Sequence, residues 1–475
     1  MEERVKALAK AVSRRSLLLT GGAVAIGMPL HFNRANAAMS VEKRLVAAPG
    51  HVPLVGAPYP ETSAWCYDGQ LPGPEIRLRQ GDSLRIAVQN KLPKDTTVHW
   101  HGVRVPNAMD GVPDLTQKPI ARGASFTYEF AVPDAGTYWY HPHAHSAEEV
   151  GRGLAGALII EERAPLPVDR DVVWVLGDWR LKRDASIVAD FGNRMEMAMD
   201  GRIGNTVTIN GRIPDPFPVR AGERLRLRLI NAAPARIFGL EFAGHSPLVI
   251  ALDGQPIEPH TPPDGRVVLG PAMRVDLLID MTGAPRSTAT ITDSFYRNRA
   301  YRLVDIAYSD ETPVRDHALD APRALPANTM PEPDVDRAER HEVLLGGGMM
   351  GGMGGMMSGG MGGMESRAIW AINGVGASGH AMAPMVTLAR GKTCVLAIRN
   401  ETAWFHPMHL HGHSFRVIAR NGKPTRYREW RDTVLVPPRE TADIAFVADN
   451  PGDWMFHCHV LEHQDGGMMS VIRVT

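Results

Sequence analysis

Three ten-residue stretches of this chain lie over one another in register: GDSLRIAVQN (81–90), GERLRLRLIN (222–231) and GKTCVLAIRN (391–400). Each opens on glycine, alternates apolar with polar positions, and closes on asparagine. Alternation at every second residue is the pattern of a half-buried strand. Further short runs, at 126–132 and 433–436, are broken by Gly, Pro, Asn and Asp. Long helical periodicity is missing, so the chain is expected to be all-β, built from sandwich or barrel units.

The repeat extends outward from those stretches. Nine residues after Asn90 and Asn400 come His99-Trp100-His101-Gly102 and His409-Leu410-His411-Gly412. The middle copy continues as AGHSPLVIALDGQP from Ala243, against HGHSFRVIARNGKP from His411. A second pairing sets DAGTYWYHPH (134–143) against NPGDWMFHCH (450–459). Three copies of one β unit place domains at 38–164, 165–318 and 335–475, with a proline-rich linker at 319–334.

The first 37 residues stand outside this pattern. Ser13-Arg14-Arg15-Ser16-Leu17-Leu18 opens an apolar run too short to span a bilayer, and Ala35-Asn36-Ala37 is a small-residue cleavage site. Residues 1–37 therefore read as a twin-arginine signal peptide, which implies the twin-arginine export machinery, a bacterial periplasm and no stable membrane anchor. Lys+Arg and Asp+Glu both total 52, so no basic face is implied and nucleic acid is not a partner. With only Cys66, Cys394 and Cys458, an exported chain is not held together by disulfides. A Cys66–Cys394 bridge is arithmetically possible, but nothing in the sequence fixes the distance between them.

The ligand chemistry follows from the repeat. Four His-x-His pairs, 99/101, 141/143, 409/411 and 457/459, lie in strand-like sequence, where both imidazoles of a pair point the same way. Eight imidazoles would meet if the first and third domains face each other. Cys458 sits between His457 and His459, with His463 and Met468 just beyond. A thiolate with two histidines and a weak axial thioether is the ligand set of a blue copper site, and His406 supplies the second histidine. Opposite His406, His409 and His411 the middle copy has Phe238, Glu241 and Ala243, so that domain is a spacer without metal. The first copy has Thr96 opposite His406 and Pro142 opposite Cys458, so it keeps four histidines and no blue-site sulfur. His145, His245 and His413 are left to packing or hydrogen bonding.

The motifs HWHG, YWYHPH, HPMHLHG and HCHVLEHQDGGMM together resemble those of the multicopper oxidases, the family of laccases and bacterial copper-tolerance oxidases. The resemblance covers nearly all of the chain beyond residue 37. It implies three consecutive cupredoxin-like Greek-key β-sandwich domains, four coppers, and one-electron oxidations coupled to reduction of O2 to water. It further implies a type 1 copper on His406, Cys458, His463 and Met468, and a type 2 copper on His99 and His409. The type 3 pair would take His101, His141 and His459 on one ion, and His143, His411 and His457 on the other. Asp110 matches the acid that the family keeps near its cluster. Gln464 stands where a second acid is common, and an amide cannot release a proton as a carboxyl does. Glu462, Asp465 or water would then serve. Asp432 is a candidate for orienting a ligand histidine, with a surface ion pair as the alternative.

The substrate reading rests on GGGMMGGMGGMMSGGMGGM (346–364). Thioethers are soft ligands that select Cu(I), and Met349, Met350, Met353, Met356, Met357, Met361 and Met364 sit on a glycine tether. The resemblance implies a cuprous oxidase in copper tolerance, although Thr402 and Trp404 stand where such enzymes have acidic and methionine residues. Met195, Met197 and Met199 alternate, as a second soft patch or a packed strand face. The expected function is a monomeric enzyme with O2 and Cu(I) or phenolic small molecules as partners. A laccase-like phenol oxidase is the alternative in the same class, and a non-catalytic copper-storage or scaffold protein the alternative outside it.

Overall fold

The computed structural model describes residues 39–475 except 316, 318, 319, 321, 322, 350–367, 378, 380 and 381. The expected export signal at 1–37, the methionines from Met350 to Met364 and part of the expected 319–334 linker lie outside the described residues. Almost all the regular structure is strand. Among the described residues no helix is long and apolar enough to cross a membrane.

The described residues form six β-sheets, two in each of three successive parts of the chain. In the first part, Ser83–Asn90 lies between Ser40–Val52 and Ser125–Ala131. The facing sheet ends on the strands β1 (His99–His101) and β2 (Gly136–His141). The last part repeats this plan. Thr393–Asn400 lies between Glu339–Gly347 and Thr441–Val447, and the facing sheet carries β3 (His406–Leu410) beside β4 (Gly452–Cys458). The middle part has sheets of six and five strands, with Arg224–Asn231 central in the larger. Each part has its own apolar core, around Trp100 and Tyr128, around Phe238 and Leu277, and around Trp370 and Trp454.

The glycine and asparagine that bracket each repeat have structural causes. Gly81, Gly222 and Gly391 have φ of 95°, 80° and 82°, a left-handed turn that glycine enters without steric cost. The closing asparagines are buried clamps. Asn90 donates through Nδ2 to the carbonyls of Lys94 and Ile120, both at 2.8 Å, while Oδ1 accepts from Leu92 N. Asn231 does the same with Arg236, Leu269 and Ala233 N. Asn400 does it with Trp404, Val436 and Thr402 N. One side chain thus satisfies buried backbone groups that strand pairing does not reach.

Three short helices cover the ends of the ligand strands: α1 (Ser146–Gly151), α2 (Arg194–Met197) and α3 (Leu461–Asp465). Ala147 and Val150 of α1 pack on Leu461 of α3. The Met195–Met199 alternation is not a strand face. The Asn193 side chain accepts from Met195 N and Glu196 N, and the segment turns into α2. The methionine run also begins later than glycine content suggests, since Gly346 and Gly347 pair in the sheet with Ala371 and Trp370. Cys66, Cys394 and Cys458 are all buried and free.

Candidate metal centres

Antiparallel pairing brings the histidine pairs together. On β1 and β2 His99 faces His141, and on β3 and β4 His409 faces His457 and Met408 faces Cys458. The two strand pairs converge, so His99 stacks on His411 with ring centroids 3.9 Å apart and His101 on His409 at 3.7 Å. All eight histidines of the pairs lie in this one cluster, none more than 1% exposed.

Five of the eight rings have Nδ1 committed. His99 Nδ1 donates to the Asp110 carbonyl at 2.8 Å and His409 Nδ1 to the Asp432 carbonyl at 2.8 Å. His141 Nδ1 donates to the carbonyl of Pro142 and His457 Nδ1 to that of Cys458. His411 Nδ1 donates to Asp110 Oδ2 at 2.8 Å. A carbonyl or carboxylate only accepts, so the remaining Nε2 atoms are lone pairs facing inward. His411 Nε2 and His457 Nε2 then lie 3.1 Å apart, and His141 Nε2 and His459 Nε2 3.3 Å apart. Nδ1 carries the proton on His411, His457 and His141, so their facing lone pairs leave room for a cation rather than a hydrogen bond. His99 Nε2 and His409 Nε2 are buried with no hydrogen-bond partner. Burial, with the neighbouring rings second, holds His101, His141, His411 and His459 well below the usual imidazole range, as neutral donors.

A second buried group lies at the same end of β4, around Cys458. Cys458 Sγ is 3.5 Å from His406 Nδ1 and 3.6 Å from His463 Nδ1, and those two nitrogens are 3.1 Å apart. Their outer edges are fixed. His463 Nε2 donates to the Met199 carbonyl at 2.7 Å. The Thr402 hydroxyl donates to Asn400 Oδ1 at 2.7 Å, and so accepts from His406 Nε2, also at 2.7 Å. Thr402 is thus a buried support for His406, reached from the repeat asparagine. Burial pushes the Cys458 thiol up and His463 down to about 4. Met468 is fully buried in the same core, and its backbone bonds to Cys458 and His463. Thiol, imidazoles and thioether form a soft set suited to copper.

Groups of closely spaced ligand atoms include His406/Cys458/His463 and His143/His411/His457, the sets read from the motifs. The others combine differently, as His99/His101/His141 and His99/His409/His411. His459 is at the cluster through His141. Asp432 is buried and not on the surface: its Oδ1 is 3.2 Å from His101 Nε2, and Arg274 pairs with it. Asp110 lies between His99 and His411 and is fully buried. Glu462 is buried with its carboxyl toward Gly201, while Asp465 is exposed. His145 is exposed beside Asp95, and His413 and His245 bond to backbone carbonyls.

The first residue of the methionine run is also placed. Met349 N donates to the Ala198 carbonyl at 3.0 Å, which seats it beside the end of α2, and Met349 and Met195 are both exposed. One residue past Met199, Asp200 joins Arg236, Tyr296 and Arg299 in a cleft of about 610 Å³. The cleft and Glu149, a wholly buried carboxyl on α1, were not foreseen from sequence; an Asn-x-x-Glu capping signature at Asn193 could have given α2.

Multicopper oxidase family models match residues 52–165, 170–302 and 357–475. The chain is 30% identical to multicopper oxidase MmcO of Mycobacterium tuberculosis over 94% of its own length and 90% of that protein. It is 25% identical to copper resistance protein A of Escherichia coli over 87% of this chain and 90% of that one. It superposes on the crystal structure of a multi-copper oxidase from Pseudomonas thermotolerans with a TM-score of 0.81 at 35% identity, covering 92% of this chain and all of that one.

Proposed function

The chain belongs to the multicopper oxidase family, and from that premise we propose that it oxidises Cu(I) and reduces dioxygen to water in copper tolerance. The observation that carries the reading is the tripeptide at the end of β4. Cys458 faces the sulfur-containing group while His457 and His459 face the histidine cluster, so the two centres share one backbone.

His406, Cys458, His463 and Met468 would hold one copper. His99 and His409 would hold the second, His101, His141 and His459 the third, and His143, His411 and His457 the fourth. Copper bound there supplies one-electron chemistry on the substrate side and multielectron reduction on the dioxygen side. The chain's own part is to keep the ligands neutral, oriented and dry. The Asp110 and Asp432 carbonyls hold His99 and His409, and the buried setting excludes water. Asp110, bonded to His411 Nδ1, is placed to hold and pass protons at the cluster.

Cu(I) is favoured by soft sulfur. The run from Met349 to Met364 starts beside α2, and two residues beyond that helix the Met199 carbonyl holds His463. The name of the relative copper resistance protein A agrees with that reading. The cleft at Asp200 favours a second one, oxidation of phenols as in a laccase, because it offers an organic substrate a seat one residue from Met199. The export signal and metal cofactor fit a monomeric periplasmic protein carried folded by the twin-arginine machinery.

The test is copper-loaded protein assayed on Cu(I) and on dimethoxyphenol, for the native chain and for one with the six methionines from Met350 to Met364 changed to serine. Cu(I) oxidation should fall while phenol oxidation holds. Equal Cu(I) oxidation by both would remove the run as collector. Absence of an intense blue band would sink the oxidase reading itself.

A further inference from the structure

We propose that a small apolar cavity in the seam between the first and middle domains takes up dioxygen for the histidine cluster, an inference that rests on the oxidase reading above. All eight histidines of the pairs are buried, so dioxygen must cross protein to reach them. Dioxygen is apolar and leaves water readily for apolar surroundings.

The cavity holds about 30 Å³. Its rim is formed by Leu71 and Pro72 of the first domain and Gly211 of the middle one, all partly buried. Its inner wall is Ala155, Val175 and Ala232, all buried. About 10–15 Å³ of such space holds one water, so the volume suits a single diatomic molecule. The polar groups of the wall are already engaged. Thr208 Oγ1 accepts from Trp179 Nε1 at 2.9 Å. The carbonyls of Gly153, Ala155 and Val175 accept from Ala155 N, Gly73 N and Asn210 N. A trapped water wants about two to four polar partners, and this wall favours an apolar guest instead.

From the inner wall, apolar side chains continue to the ligands. Ala155, Val175 and Ala232 belong to one buried cluster with Ala157, Ile230 and Trp139. Trp139 on β2 pairs with Ala157 of the strand Gly156–Glu161, and Ala155 stands two residues before Ala157 on the same face. His141, two residues past Trp139, shares that face as well. The Trp139 ring stacks on His141 with centroids 4.2 Å apart, and stands 5.3 Å from His101 and 5.6 Å from His459. Those are the three histidines that would hold one ion of the cluster. Trp139 Nε1 is buried with no hydrogen-bond partner, so packing alone holds the ring. A small displacement of that ring opens the way from the alanines to the histidines.

The opposite side of the cluster is built differently. There Asp110 holds His99 through its carbonyl and His411 through its carboxylate. That side suits protons and water, and the alanine-lined side is left for the gas.

The experiment uses the full copper-loaded chain, with xenon as the probe of the cavity. Crystals of the native protein held under xenon should show the atom between Ala155, Val175 and Ala232. Ala155→Val combined with Ala232→Val fills the space, and its crystals should show no xenon there. One methylene in an apolar pocket changes binding by about tenfold or more, so the KM for dioxygen should rise by about that factor in the filled variant. Turnover at saturating dioxygen should hold, and substrate should bleach the blue band under argon at the native rate. If that variant does not fold, Val175→Leu replaces it, with the same results expected. A native crystal without xenon at this place would overturn the proposal. A native KM for dioxygen in a variant that has lost the xenon site would overturn it equally. Native protein that holds xenon but takes up no dioxygen would overturn the oxidase reading, and the dioxygen assignment with it. Dioxygen uptake with an empty cavity would overturn the cavity's role alone.

Discussion

Arg274 and Asp432 form a buried ion pair, Nη1 to Oδ1 at 2.8 Å, that joins the middle domain to the carboxylate touching His101. Arg274 also takes Asp253 as a neighbour, and the Asp432 backbone carbonyl holds His409. The middle domain therefore helps position His101 and His409 through Asp432.

Arg274→Ala leaves a buried carboxylate without its cation. Losing one partner of such a pair costs about 3–5 kcal/mol, which denaturant unfolding of the metal-free protein would read directly. Burial alone would raise the Asp432 carboxyl, but the Arg274 guanidinium overrides it and holds the group well below the usual carboxylate range. The contribution of Asp432 is then fully present above its unfolded pKa of about 3.9 and lost as pH falls below that. The stability gap between native and variant protein should narrow below about pH 4. A gap independent of pH would mean that Asp432 is not the group affected.

Asp110→Asn keeps an oxygen for His411 but no titratable proton. Dioxygen uptake should fall by about a hundredfold with the blue band unchanged. Stopped-flow uptake and absorbance on one sample separate the two effects, and undiminished turnover would take Asp110 out of proton delivery.

Thr402→Val removes the acceptor that fixes His406 Nε2. Loss of such an outer partner weakens metal binding by about 10–100-fold. Competition with a copper chelator should release the blue-site ion first, with the ions at the histidine cluster held as in the native protein. Equal release from both would show that the hydroxyl does not support His406.

Copper loading at Cys458 displaces a proton from a thiol that burial holds on it. Apparent affinity at this centre should therefore weaken as pH falls, followed by titration of the blue absorbance. Cys458→Ser should abolish the blue band while leaving copper bound at the histidines. A blue band in that variant would place its origin elsewhere.

Much of this was legible in the chain because it repeats. Register alone paired His99 with His409 and Thr96 with His406, and strand alternation put each His-x-His pair on one face. What sequence could not provide was burial and cross-domain contact. Asp432 reads equally well as a surface acid until Arg274, distant in sequence, closes on it. Glu149 follows another glutamate in a polar-looking run, yet Glu148 reaches Lys94 while Glu149 turns inward. The alternating methionines fit a strand, and the Asn193 cap decided for a helix.

The asparagine clamps have a further consequence for how the molecule matures. Asn231 makes the same set of bonds as Asn90 and Asn400, although Phe238 occupies the position where β3 presents His406. The clamp therefore does not depend on a histidine at that position. The same architecture can be complete in the other two domains before metal arrives, so that copper finds a finished vessel and does not have to mould one.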